Sequence, residues 1–308
     1  MAINSTIELS GVYDCSVFSA DDGTWVIAKL MDGTTVCGKT SRSSFISGVT
    51  YIFSGRYEIH PTYGQQFKFE TFAQTEPATD SEVMSYLERY LFNAKVGIGA
   101  GRARRLITKF GPKEVLRQIK GNPKAVAEVT GVTREQADTA AGILIKMEAF
   151  EKTTMKLAQA FKGRGFGQNV IDMAIKDMGV AAYDVVDRDP FTLLVRGYPS
   201  AGFQRCDKMY RDLDRPEKRL KRQMICLWDH IQKSGGSTWV ATSEATDVLQ
   251  RLVTTDVNPE KAVELGIRAR WFRQREIGGV NYLAVTQDAI NEEKLAGEIA
   301  RLCRWNNG

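Results

Sequence analysis

The run Val96-Gly97-Ile98-Gly99-Ala100-Gly101-Arg102-Ala103-Arg104-Arg105 sets alternating glycines directly before a cluster of arginines. Residue types in this order suit one kind of chemistry, the holding of a phosphate group. Glycine allows a tight turn and leaves backbone N–H groups uncovered. A helix starting at that turn directs its positive end and its unpaired amides to the same place. Between Lys95 and Lys120 there are eight Lys/Arg and one acid, Glu114, so the charge of this stretch fits the same partner. The shape is that of a helix-hairpin-helix element, which grips a nucleic-acid backbone and does not read bases. The candidate DNA contacts are Gly97, Gly99, Gly101, Arg102, Arg104, Arg105 and Lys109.

Similar glycine turns recur about every 33 residues, at 130–133, 163–167 and 196–202, with Asn122-Pro123 and Asp189-Pro190 between units. Such regularity predicts a tandem array of helical hairpins, each helix 8–14 residues long. In the third turn Lys162, Arg164, Gly165 and Gly167 are further candidates for DNA contact. The second and fourth read mainly as packing units. Toward the end of the chain Arg270, Arg273 and Arg275, with Arg268, crowd one predicted strand and complete the candidate interface.

Other motifs point to no catalysis. Gly33 to Thr40 satisfies the phosphate-binding spelling G-x4-GK-[ST], but it lies in a hairpin turn and its returning strand, where that motif needs a following helix. Asp184, Asp187 and Asp189 surround a repeat junction and read as loop and cap residues. The cysteines at 15, 37, 206, 226 and 303 never form C-x-x-C, and the histidines are His60 and His230. No zinc site, disulfide framework, nucleophile–base pair or bound cofactor is expected. His60 is expected to fix a turn. Lys218, Arg219, Lys221 and Arg222 read as a solvated helix face.

The elements that must position these residues fall into an α+β, multidomain order. Alternating, aromatic-rich runs at 7–12, 24–31, 49–57 and 66–72, with a two-residue turn at Asp32-Gly33, predict a small OB-like β-barrel over 1–76. Of its aromatics (Tyr13, Phe18, Trp25, Tyr51, Phe53, Tyr57, Phe67), alternation sends about half inward, and the others are candidate stacking surfaces for single-stranded DNA. Residues 75–80 read as a linker, and 81–215 as the helix-hairpin-helix array. In 216–308 the order is a helix at 217–233, a short strand at 238–241, helices at 243–253 and 259–265, and a hairpin of 270–277 with 280–285. With a closing helix at 288–302 this is the outline of a winged-helix-like domain.

At 308 residues with 43% hydrophobic content, the chain is sized for two or three globular domains. Its net charge of +5 is mild, so the basic excess is local, as a nucleic-acid footprint would be. No membrane-length apolar run or secretory leader is evident, and a cytoplasmic location is expected.

His60-Pro61-Thr62-Tyr63-Gly64-Gln65-Gln66-Phe67 resembles the HP-x-YG-x-QF signature in the N-terminal barrel of RecD-like superfamily 1 DNA helicases. The order that follows is similar too: Gly97-Ile98-Gly99, Ala103, Phe110-Gly111, Asn122-Pro123, Gly131, Asp189-Pro190-Phe191, Gly202-Phe203 and Asp207-Lys208, then the turn and wing from 235 onward. Thr133, where the family has a glycine, and extra residues at 198–201 are departures. The resemblance implies sequence-independent binding of single-stranded or forked DNA, in the service of a RecD-like helicase motor or another replication, recombination or repair protein. In that family an ATP-driven motor follows this region, and these residues contain none. Two alternatives stay open: an adaptor that docks on a helicase, polymerase or nuclease, and a piece of a 5′→3′ helicase whose motor lies elsewhere.

Overall fold

Strand alternation builds the first sheet. The computed structural model describes residues 6–20, 24–39, 45–93, 95–235, 237–254 and 256–305, which form two compact units. The first comprises residues 1–188 with 198–200, and the second 189–197 with 201–308.

The first unit opens with β1 (Ile7–Ser19), β2 (Trp25–Leu30), β3 (Thr35–Lys39), β4 (Thr50–His60) and β5 (Gly64–Gln74). They close an OB-like barrel in the order β1-β2-β3-β5-β4, with β3 and β5 parallel and the other pairs antiparallel. Alternate residues Val26, Ala28 and Leu30 of β2 face a core shared with Val36, Phe53, Phe67 and Phe69. Closure demands bending, and the strands bend where the register slips. At the slip between Ser54 and Gly55, a Cβ on Gly55 would lie 2.1 Å from the Lys68 carbonyl oxygen, so only glycine fits.

The β2–β3 turn is a three-residue loop, 31–33, rather than the expected two-residue turn. Leu30 N–H bonds the Thr34 carbonyl, Asp32 accepts from Thr34 N–H at 2.8 Å, and Gly33 takes φ +87°. The phosphate-loop spelling from Gly33 runs into β3, whose backbone is paired with β2 and β5. Its last residue, Thr40, lies outside the described residues.

Helices α1 (Asp80–Leu91), α2 (Ala100–Phe110), α3 (Pro112–Gly121), α4 (Pro123–Thr130), α5 (Arg134–Phe161), α6 (Gln168–Met178) and α7 (Ala182–Arg188) complete the first unit, with a 3-10 turn at Gly179–Ala181. Capping boxes start α1 (Thr79 with Glu82) and α5 (Thr133 with Gln136). Helix α5 spans 28 residues, against the expected 8–14. Gly142 does not break it, because Ala140, Ala141 and Leu144 around it are buried.

The second unit contains α8 (Phe191–Val195), α9 (Phe203–Asp212), α10 (Leu220–Lys233), β6 (Val240–Ala241), α11 (Thr242–Leu252), α12 (Pro259–Arg268), β7 (Phe272–Ile277), β8 (Val280–Val285) and α13 (Thr286–Trp305). The strands form an antiparallel sheet in the order β6-β8-β7. Strand β7 starts two residues later than expected because Arg270 adopts φ +61°. No described helix is long and apolar enough to cross a membrane.

One backbone pattern recurs along the chain. A residue of positive φ, a buried apolar residue, then the residue that starts a helix appear as Gly97-Ile98-Gly99, Gly131-Val132-Thr133, Gly165-Phe166-Gly167 and Ser200-Ala201-Gly202. The repeats follow one another after 34, 34 and 35 residues. The fourth carries serine at the strained position, φ 62°, where the others have glycine.

Candidate nucleic-acid interface

The first turn is built from its neighbours inward. Asn93 accepts from Val96 N–H at 3.1 Å and from Gly97 N–H through its backbone carbonyl at 3.0 Å. Gly97 then turns at φ +67°, where a Cβ would also meet the Gln136 side-chain nitrogen at 2.8 Å. Ile98 is buried, and Gly99, in extended backbone, starts α2 without a side-chain cap. The first amides of α2 have no acceptor within the helix. The first turn of α2 has no acid, and Gly99, Ala100, Gly101, Arg104, Arg105 and Lys109 are exposed. A shallow depression of about 400 Å³ is lined by Gly99, Ala100, Gly101, Arg102 and Arg105.

Gly99 is the N-cap of α2, where glycine is favoured over alanine, but Gly101 inside the helix is not explained by the fold. A Cβ on Gly99 or Gly101 would meet nothing within 4 Å, and neither residue has a positive φ. Glycine inside a helix costs about 0.5–1 kcal/mol relative to alanine. At Gly101 the bare backbone is open to solvent beside the exposed Arg104 and Arg105.

The arginines divide by role. Arg102 is half-buried; it donates through Nη1 to the Gly97 carbonyl at 2.6 Å and through Nε to the Thr130 carbonyl at 3.1 Å. Arg105 donates to the same Thr130 carbonyl at 3.2 Å. Both fasten the first turn to the end of α4, a tie that sequence reasoning missed because Thr130 is far along the chain. Arg104 and Lys109 are exposed and make no ion pair among the described residues.

In the second turn Thr133 caps α5 with its own side chain, accepting from Gln136 N–H, so one N-terminal amide is already used. The third turn faces the barrel. Lys162 pairs with Glu8 of β1 at 2.8 Å, and Arg164 donates to the Ala160 carbonyl. Buried Gln168, next to Gly167, accepts from Phe72 N–H of β5 at 3.0 Å. Gly165, at φ +75°, is exposed. Within the second unit Arg273 pairs with Glu293 at 2.7 Å. Arg275 lies over the Trp239 ring at 3.8 Å, and Arg270 is exposed. Lys221 pairs with Asp189 and Lys218 with Asp256, while Arg222 is buried against Asp207.

The barrel sorts its aromatics. Tyr13, Tyr51, Phe53 and Phe67 are core, Trp25 is half-buried, and Phe18 and Tyr57 are exposed. His60 fixes a turn as expected: its Nδ1 accepts from Thr62 N–H at 3.1 Å and Tyr63 N–H at 3.3 Å. Away from these surfaces, Glu151 lies in a cavity of about 110 Å³ lined also by Gln74, Glu76, Tyr86, Lys120 and Glu148. Burial pushes its carboxyl up to about 7, with repulsion from Glu148 adding, against the Tyr86 hydroxyl that donates to it at 3.2 Å.

Residues 6–77 match the family model described as the OB-fold domain of the ATP-dependent DNA helicase YrrC. The matched span is the barrel and the start of the segment that follows it.

Proposed function

We propose that this chain is a sequence-independent DNA-binding protein that holds the phosphate backbone at the Gly97–Gly101 turn, within or beside a RecD-like helicase. The observation that carries the proposal is the exposed amide end of α2, which has no side-chain cap at Gly99 and where Gly101 stands without any need of the fold for glycine. Arg104, Arg105 and Lys109 on the same helix supply charge, and Arg102 holds the turn in shape. The fourfold backbone pattern supports reading 81–215 as a helix-hairpin-helix array. The helices and three-stranded sheet of the second unit support a winged-helix-like reading of 216–308, with Arg270, the least engaged of its wing arginines, toward DNA. An OB-fold match drawn from a DNA helicase favours the same partner over a metabolite or a membrane.

The test is a fluorescence-anisotropy titration with single-stranded, blunt duplex and forked DNA of several sequences. Contact with about four phosphates predicts roughly 10²-fold weaker binding between 50 and 200 mM salt, alike for every sequence. Salt-independent or sequence-selective binding contradicts the proposal.

A second reading is favoured by one observation. From Lys294 to Cys303 helix α13 is exposed on all sides, and Leu295, Ile299 and Leu302 form an apolar stripe along it. A stripe of this kind suits a partner helix, as the adaptor alternative requires. Wild-type affinity for a helicase, polymerase or nuclease that Leu295→Glu with Ile299→Glu abolishes, in the absence of any DNA binding, would establish it.

A further inference from the structure

Within the second unit, two unfilled surfaces lie on opposite faces of the three-stranded sheet. On one face α11, α12 and β7 enclose a groove of about 510 Å³. Pro259, Val263 and Ile267 give it an apolar wall, and Glu260, Glu264 and Arg268 give it charge. Phe272 of β7 marks this face, because a Cβ on Gly266 of α12 would lie 2.2 Å from its ring. Two residues on, Gln274 shares the face and lines the groove. Arg273, between them, turns the other way and pairs with Glu293 of α13. The second surface is the α13 stripe of Leu295, Ile299 and Leu302, each more than half exposed. Helix α13 is unbroken from Thr286 to Trp305, so its outer half cannot bend around the sheet into the groove of its own chain.

We propose that the α13 stripe of one copy lies in the α11–α12 groove of a second copy, so that two chains pair by exchanging helices. Three features select this occupant. Stripe and groove match in length: Leu295 and Leu302 are seven residues apart, as are Glu260 and Ile267, or about 10 Å of helix in each case. They also oppose in charge. The groove has two acids and one base, whereas Lys294, Arg301 and Glu298 beside the stripe are two bases and one acid. Glu260, Glu264 and Lys294 make no ion pair among the described residues, and the exposed Arg301–Glu298 pair is of the weak kind that can exchange partners. The carboxylate excess that suits this helix repels DNA. Finally, a two-fold axis makes the contact twice and closes the assembly, so both contacts count toward the roughly 1,200 Å² that a stable interface buries. The inference is independent of DNA binding, and it gives the stripe an occupant other than a helicase, polymerase or nuclease.

The experiment measures mass by light scattering for the full chain, a stripe variant (Leu295→Glu with Ile299→Glu) and a groove variant (Glu264→Lys with Ile267→Glu). All four side chains are exposed, so folding should survive, and circular dichroism checks this. The full chain is expected at twice 34.4 kDa and each variant at 34.4 kDa. An equimolar mixture of the two variants restores one intact stripe facing one intact groove. A carbodiimide, which joins lysine to carboxylate, should therefore cross-link the mixture into dimers and leave each variant alone uncross-linked. A monomeric full chain overturns the proposal and leaves the stripe to a different protein. A groove variant that stays dimeric overturns it as well, since stripe would then pair with stripe. So does a mixture that yields no cross-linked dimer.

Discussion

Glu151 shows how a single residue's surroundings set its chemistry. Its carboxyl is shielded within the helices of the first unit, one oxygen has no hydrogen-bond partner, and its pKa is raised to about 7. In the unfolded chain it would titrate near the ordinary carboxylate value, so between the two the native state holds more protons. Stability therefore falls as pH rises from about 4.5 to about 7, and stays low above that. Glu151→Gln removes the charge and should raise stability at pH 8 by about 1–2 kcal/mol while leaving pH 4 little changed. Urea denaturation at the two pH values measures this, and an equal effect at both would contradict it. None of this was legible in the sequence. The residue is one acid among many on α5, and its burial depends on Gln74, Tyr86 and Lys120 arriving from other elements.

Helix α2 and its turn separate holding from contacting. Arg102 fastens the turn to two carbonyls, so Arg102→Ala should cost about 1–3 kcal/mol of stability as well as DNA affinity. Arg104→Ala with Lys109→Ala should weaken DNA binding several-fold and leave the melting temperature unchanged, since neither side chain pairs within the described residues. Equal melting-temperature losses in both variants would remove the distinction. The turn itself was readable because positive φ strongly favours glycine, and Gly97, Gly131 and Gly165 announced it at regular intervals. The fourth, expected at 196–202, carries Ser200 at that position. The barrel was readable from alternation, and within the expected run 24–31 Val26, Ala28 and Leu30 face inward. What the sequence concealed were ties between distant elements: Arg102 to Thr130, Lys162 to Glu8, Gln168 to the backbone of Phe72. These turn residues that look like free phosphate ligands into braces, because a guanidinium or ammonium satisfies a near carbonyl or carboxylate before any ligand arrives.

At the scale of the whole molecule, the proposed function places DNA at the turn Gly97–Gly101, which offers amides and charge to phosphate. On that proposal backbone contact supplies affinity on any DNA, so single-stranded, duplex and forked DNA should all bind. On the proposed function, the bare backbone at Gly99 and Gly101 serves a phosphate. The most direct measurement is a DNA titration of Gly99→Ala/Gly101→Ala beside a thermal melt of the same protein. The double variant should melt close to the wild type, the helix gain at Gly101 offsetting the poorer N-cap at Gly99, with affinity for single-stranded, duplex and forked DNA all lowered about tenfold and a flatter salt dependence. A folded double variant that binds every DNA as the wild type does would contradict it.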